Sequence, residues 1–210
     1  MPISPAPNPV GGTADACGGV STANGRVAPL VPLIAAEQAP LLARRFFADG
    51  DPGPIVAALA QVPELLEVTA PFLGTVLGPS CIATRTKEII ILRTSARASC
   101  RYCVDAHTVV ALDAGLSVTE VRALRGELDA AKVFVDPADR AAVGWCDALV
   151  ATGPVSPEAK SQLRGRFADH EVVELTLLAT TTLLLNRFCT SLDLPTSPGV
   201  RARLATEGLG

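Results

Sequence analysis

From Leu33 onward the apolar positions recur at helical rather than alternating spacing. "LIAAEQAPLLARRFFA" predicts a first helical segment, bent or broken at Pro40. "PIVAALAQV" and "PELLEVTAPFLGTVLG" predict two more, each opening on a proline where a helix tolerates it. "TRTKEIIILRTSARA", Thr84 to Ala98, carries four consecutive large apolar residues, Ile89 to Leu92. Its β-branched quartet could belong to a strand, but the length and the flanks predict a helix. "SCRYCVDAHTVVALDAG" predicts a helix capped by Ser99 and stopped at Gly115. "SVTE", Ser117 to Glu120, is a capping box that opens the next one. Asp136 with Pro137 and Ser156 with Pro157 mark two further starts, and Asp169 is expected to cap "HEVVELTLLATTTLLLNRFCTSL". No run of alternating strands and no internal repeat interrupts this pattern, so the expected fold class is all-α.

Residues 1–28 break it. Pro, Gly, Ala, Ser and Thr dominate there without apolar periodicity, which predicts a flexible tail before one all-helical domain over residues 29–210. Aromatic residues make up only 4% of the chain, which favours packed helices over a β-sandwich. A formal net charge of −3 gives no basic footprint for nucleic acid. The most apolar run, Val172 to Leu185, is too short and interrupted for a membrane span and reads as a buried helix. The start of the chain lacks the charged and continuously apolar parts of a secretory signal, so the expected location is cytoplasmic. In that compartment six cysteines do not make a disulfide scaffold, and each is read singly.

Two of those cysteines and one of the two histidines fall within eight positions. Cys100, Cys103 and His107 are spaced by three and four residues, so they share one helical face. The sulfurs lie in the first turn, where unpaired N–H groups and the helix dipole stabilise a thiolate. His107 can take a thiol proton or balance the thiolate charge. Glu88 is the candidate to orient the imidazole. On one straight helix it would lie roughly 18 Å from Cys100. It reaches the site only if the chain folds back, and the small polar stretch Thr94 to Ser99 allows that. Three competing readings use the same residues: buried structural side chains, a zinc site, and chance spacing. A structural zinc would want a fourth ligand, and the sequence has no second Cys-x-x-Cys or His pair.

The order Glu88, Cys100, Cys103, His107 followed by "AGLS" resembles the carboxymuconolactone decarboxylase superfamily, and most closely its alkyl hydroperoxidase D-like proteins. "CRYCVDAHTVVALDAGLSVTEVRAL" and the "NRF" at Asn186 to Phe188 carry the resemblance, which spans roughly residues 32–194. It implies an all-helical fold that forms homo-oligomers (dimer, trimer or hexamer) and a thiol peroxidase chemistry without cofactor or bound metal. By the same resemblance Cys103 attacks the peroxide, Cys100 closes the disulfide, and Glu88 with His107 relays protons. A lipoyl-bearing or thioredoxin-like partner would reduce the pair again. One departure is Tyr102, which stands where the better-studied hydroperoxidases carry a second histidine; a phenol is a poor base at neutral pH.

The remaining candidates read as structural. His170 is expected to be a solvated residue at a helix start, and Cys17 incidental within the tail. Cys81, Cys146 and Cys189 are expected to be buried small hydrophobes, with Trp145 in the core or at a subunit interface. Arg93 and Arg187 lie in apolar helices and need carboxylate partners, for which Glu174 and Glu88 are candidates. Three functions remain open on sequence. They are a thiol-dependent reductase of organic hydroperoxides, an acid–base enzyme of the decarboxylase branch acting on a small carboxylated metabolite, and a non-enzymatic redox-sensing or metal-binding oligomer.

Overall fold

Prolines set the first elements. The structure, a computed structural model, describes residues 28–210; the expected tail up to residue 27, with Cys17, lies outside the described residues. The stretch around Pro40 forms two 3₁₀ turns, Ala36–Gln38 and Leu41–Phe47, rather than an α-helix. Pro40 supplies no N–H, and its carbonyl accepts from Ala43 at 2.8 Å in the tighter i to i+3 pattern. Helices α1 (Pro54–Leu59) and α2 (Pro63–Leu77) then begin on prolines, as their sequences predict.

Helix α3 (Thr84–Arg97) is the centre of the fold. It packs on α4 (Arg101–Asp113), α7 (Pro137–Val150) and α9 (Asp169–Ser191). Enclosure on several sides explains its composition: Ile89, Ile90, Ile91 and Leu92 are all buried, so no polar face is needed there. Short α5 (Val118–Leu124) opens on the Ser117–Glu120 capping box, with both reciprocal bonds formed. Asp136 caps α7 through the Ala138 and Asp139 amides, and Ser156 caps α8 (Pro157–Arg164). A single turn, α6 (Ala130–Val133), and a closing helix, α10 (Pro198–Thr206), complete the all-α architecture. No strand occurs among the described residues.

The cap of α9 differs from expectation. Ala168, not Asp169, precedes α9, and the Glu171 carboxylate accepts the Ala168 N–H at 2.8 Å. Helix α9 is also longer than its most apolar run: over 23 residues it is long and apolar enough to cross a membrane by length and composition. In this fold it instead packs on α2, α3, α4, α7 and α8.

Candidate active site

The turn between α3 and α4 creates the site. Helix α3 ends at Arg97 with Ala98 as its C-cap, and Ser99 adopts a left-handed backbone with φ of 57°. The Cys100 N–H reaches back to the Ser95 carbonyl at 3.1 Å, and the Ser99 N–H to Ala96 at 3.1 Å. That pair of bonds is a Schellman closure. Ser99 therefore terminates α3, and the cap of α4 is Cys100, whose sulfur accepts the Cys103 N–H at 3.4 Å. One reversal brings the two helices side by side and leaves a sulfur at the start of α4.

The reversal also returns Glu88 to the site. Its Oε2 lies 3.0 Å from His107 Nδ1, across nineteen residues of chain. Glu88 is buried and His107 only partly so, which fixes the carboxylate and leaves one edge of the ring accessible. The fold-back expected from Thr94 to Ser99 thus occurs, and the acid orients the imidazole as anticipated.

The thiols form a larger group than a pair. Cys100, Cys103 and Cys189 place their sulfurs within 4.8 Å of one another, and all three are buried. The three do not ionise alike. The thiols of Cys103 and Cys189 donate to the Cys100 sulfur, which together with the Cys103 amide holds Cys100 down to about 3. Cys103, whose proton is held by Cys100, is pushed up to about 12, with burial adding to the effect. Cys189 is pushed up for the same reasons. Any thiolate in this group therefore sits on Cys100, at the N-terminus of α4, where the helix dipole also favours it.

A cavity of about 1090 Å³ opens onto this group. Ile34, Phe47, Pro54 and Leu194 supply apolar wall, while Cys100, Tyr102 and Cys189 form part of its sulfur-bearing side. Cys103, Glu88 and His107 do not line it. Burial pushes the Tyr102 phenol above its ordinary value, so it offers no base there. Two segments outside the helices close the cavity. Residues 30–34 are pinned by Leu30 N–H to the Leu192 carbonyl at 3.0 Å and Ile34 N–H to Ala57 at 3.1 Å. The Thr196 hydroxyl donates to Asp105 at 2.7 Å, tying the loop after α9 to α4.

Cys189 is the residue that sequence reading missed, since it had been expected to be a passive hydrophobe. Its place after "NRF" in a helix expected to pack was the only signal, and helical spacing does not reveal which thiol it meets. Asn186, one turn before it, is also buried and donates to Ser95 Oγ at 3.0 Å. Cys146 is buried as expected, its thiol donating to the Ile90 carbonyl and pushed up to about 12 by burial. Cys81 is exposed rather than buried, with its thiol 3.5 Å from Glu174. His170 is exposed and Trp145 buried, as anticipated.

The arginine partners differ from those expected. Arg93 makes a two-pronged pair with Asp147, 2.8 Å on each prong, joining α3 to α7. Glu174 instead meets the buried Lys87 at 3.0 Å, and Glu88 is held by His107. Arg187 is exposed and has no carboxylate within ion-pairing distance among the described residues. The reason is helical phase: Arg187 follows the buried Asn186 and points outward, where water solvates the charge.

Comparison with known proteins gives a family match over part of the chain and several structures of similar fold. Residues 63–148 match the model of the carboxymuconolactone decarboxylase family. An uncharacterized protein of Mycobacterium tuberculosis is 36% identical over 108 residues, which is 50% of this chain and 37% of that protein. The matched stretch thus spans well under half the length of that relative. Among solved structures, a putative antioxidant defence protein AhpD of Agrobacterium tumefaciens matches with a TM-score of 0.60 and 24% identity, covering 67% of this chain and 95% of that one. An uncharacterized peroxidase-related protein of Silicibacter matches with a TM-score of 0.70 and 17% identity, over 82% and 93% of the two chains. A cysteine-to-alanine variant of the debrominase Bmp8, in complex with 2,3,4-tribromopyrrole, matches with a TM-score of 0.71 and 20% identity, over 86% and 98%. The family match lies on the helices that carry Glu88, Cys100, Cys103 and His107, so this part of the chain is similar to the carboxymuconolactone decarboxylase family, and the solved structures share its helical fold.

Proposed function

We propose that this protein is a thiol-dependent oxidoreductase that reduces organic hydroperoxides by cycling Cys100 and Cys103 between dithiol and disulfide. The observation that carries the reading is the Cys100 sulfur. It is the favoured thiolate, it caps α4, and it lies on the wall of the large, mainly apolar cavity. A hydroperoxide in that cavity meets Cys100 first. The thiolate attacks the terminal peroxide oxygen, the O–O bond breaks, and the alkoxide leaves to be protonated as an alcohol. Family resemblance assigns this attack to Cys103; the charge and the cavity favour Cys100.

Cys103 then closes the disulfide. Its thiol is held protonated near neutral pH and needs a base for the second step. His107 stands one turn further along the same helix face, oriented by Glu88. It takes the Cys103 proton as that sulfur attacks Cys100–SOH, and the hydroxyl departs as water. An external dithiol, of the lipoyl or thioredoxin class, returns the pair to its reduced state. Helix α4 is the position for this cycle because a capping sulfur and the sulfur three residues later are neighbours across one turn.

Cumene hydroperoxide consumption by the full-length protein with dihydrolipoamide tests the proposal. Cys100→Ser should lower turnover by about 100-fold or more, and Cys103→Ser should lower it by a smaller factor. Wild-type turnover in both variants would overturn it. Conversion of a carboxylated metabolite that survives complete thiol alkylation would favour the acid–base branch instead.

A further inference from the structure

Cys189 takes no part in the cycle just described, yet it completes a cluster of three mutually adjacent sulfurs. It comes from α9, far along the chain from Cys100, so its presence there is a product of the fold and not of the Cys-x-x-Cys motif. The site has an asymmetry that the two-cysteine cycle leaves unused. The cavity is lined by Cys100 and Cys189, whereas Cys103 does not reach its wall. A disulfide between Cys100 and Cys103 therefore offers an entering reductant one sulfur only, that of Cys100. Attack on it would have to expel Cys103, the sulfur that holds its proton most tightly of that pair. A high-pKa thiol is a slow leaving group.

We infer that Cys189 is a third redox thiol that takes over the disulfide from Cys103, so that the oxidised pair presented to the cavity is Cys100–Cys189. The inference rests on the thiol cycle proposed above. In the exchange step the Cys189 thiolate attacks the Cys100 sulfur of the Cys100–Cys103 disulfide. The Cys100–Cys103 bond breaks, the Cys100–Cys189 bond forms, and Cys103 leaves as a thiolate that receives the proton Cys189 gave up. No net oxidation occurs. Both sulfurs of the new disulfide now face the cavity. An external dithiol can attack Cys189 and release Cys100, whose low pKa makes it the best leaving group of the three. A second attack by the same dithiol's other sulfur frees Cys189 and leaves the reductant as its own disulfide.

The chain makes the test direct. Arg97, Arg101 and Arg187 put the three cysteines on three different tryptic peptides, residues 98–101, 102–122 and 188–201. The full-length protein is oxidised with one equivalent of cumene hydroperoxide or of diamide, quenched with an alkylating agent, digested without reduction and analysed by mass spectrometry. The wild type should yield the 98–101/188–201 cross-link beside the 98–101/102–122 cross-link. Cys103→Ser should lose two thiols per chain and give the 98–101/188–201 cross-link alone. Cys189→Ser and Cys189→Ala should give only the 98–101/102–122 cross-link, and its reduction by dithiothreitol should slow about tenfold. The inference is overturned if Cys103→Ser loses one thiol only and Cys189 is recovered alkylated with both oxidants. Failure of the peroxidase reading looks different. In that case diamide produces the Cys100–Cys189 link while hydroperoxide leaves all three thiols free.

Discussion

A sulfur at the cap of a helix behaves unlike a sulfur three residues further in. Cys100 accepts the Cys103 amide and two thiol protons, so its negative charge is solvated from three directions within the protein. Cys103 gives up its proton only against burial and the charge beside it. This asymmetry predicts distinct pH profiles. An ordinary thiol, with a pKa near 8.5, loses about tenfold in alkylation rate for each pH unit below that value. Cys100, held near 3, stays ionised from pH 5 to pH 8, so labelling of peptide 98–101 by iodoacetamide should be flat across that range. A tenfold fall per unit at Cys100 would contradict the assignment. The residue types of the site were legible in the sequence, since Cys100, Cys103 and His107 stand at helical spacing and Glu88 was the candidate to orient the imidazole. Their ionisation was not, because it depends on which thiol donates to which.

At the scale of elements, the site depends on one reversal. Ser99 ends α3 in a left-handed conformation while Cys100 starts α4 in an extended one, so two helices meet within three residues. Left-handed backbone costs a side-chain-bearing residue about 1–2 kcal/mol, and a β-branched one suffers most. Ser99→Val should therefore destabilise the fold by about 1–2 kcal/mol in urea denaturation, whereas Ser99→Gly should be neutral or stabilising. An unchanged midpoint for the valine variant would show that the turn tolerates the strain. The sequence marked this place as small and polar and predicted the break. It misplaced the cap by one residue, because Ser is a good cap on propensity while the Schellman bonds require position 99 to be left-handed. A similar competition turned the stretch around Pro40 into 3₁₀ turns, where backbone geometry at proline outweighed apolar periodicity.

Across the whole molecule, α3 is fixed from both sides. The Arg93–Asp147 pair joins it to α7, and Lys87, Glu174 and the Gly78 carbonyl secure its start to α9 and to the end of α2. Asp147→Ala would leave the Arg93 guanidinium largely buried with only the Ala123 and Leu124 carbonyls for partners. The expected loss is about 2–3 kcal/mol, read as a lower denaturation midpoint, with thiol reactivity kept if α3 and α4 remain paired. A change within a few tenths of a kcal/mol would mean that water replaces the lost carboxylate. The division of labour along the chain is equally clear. The family segment, residues 63–148, carries the dithiol and its Glu–His pair, but the cavity walls come largely from residues 33–57 and 189–201. The shape of the cavity is therefore set largely by parts of this chain that the family match does not reach.

Helical periodicity, caps and proline positions determined most of what is local: the all-α class, the starts of α1, α2, α3, α5, α7 and α8, and the spacing that puts Cys100, Cys103 and His107 on one face. These follow from interactions over three or four residues, which a sequence states outright. Only the tertiary structure decided that Glu88 returns to His107, that Arg93 chooses Asp147, and that Cys189 joins the other two sulfurs. Each of those contacts spans nineteen residues or more, and its partner is selected by how whole helices pack, a property of combined surfaces that no local pattern encodes.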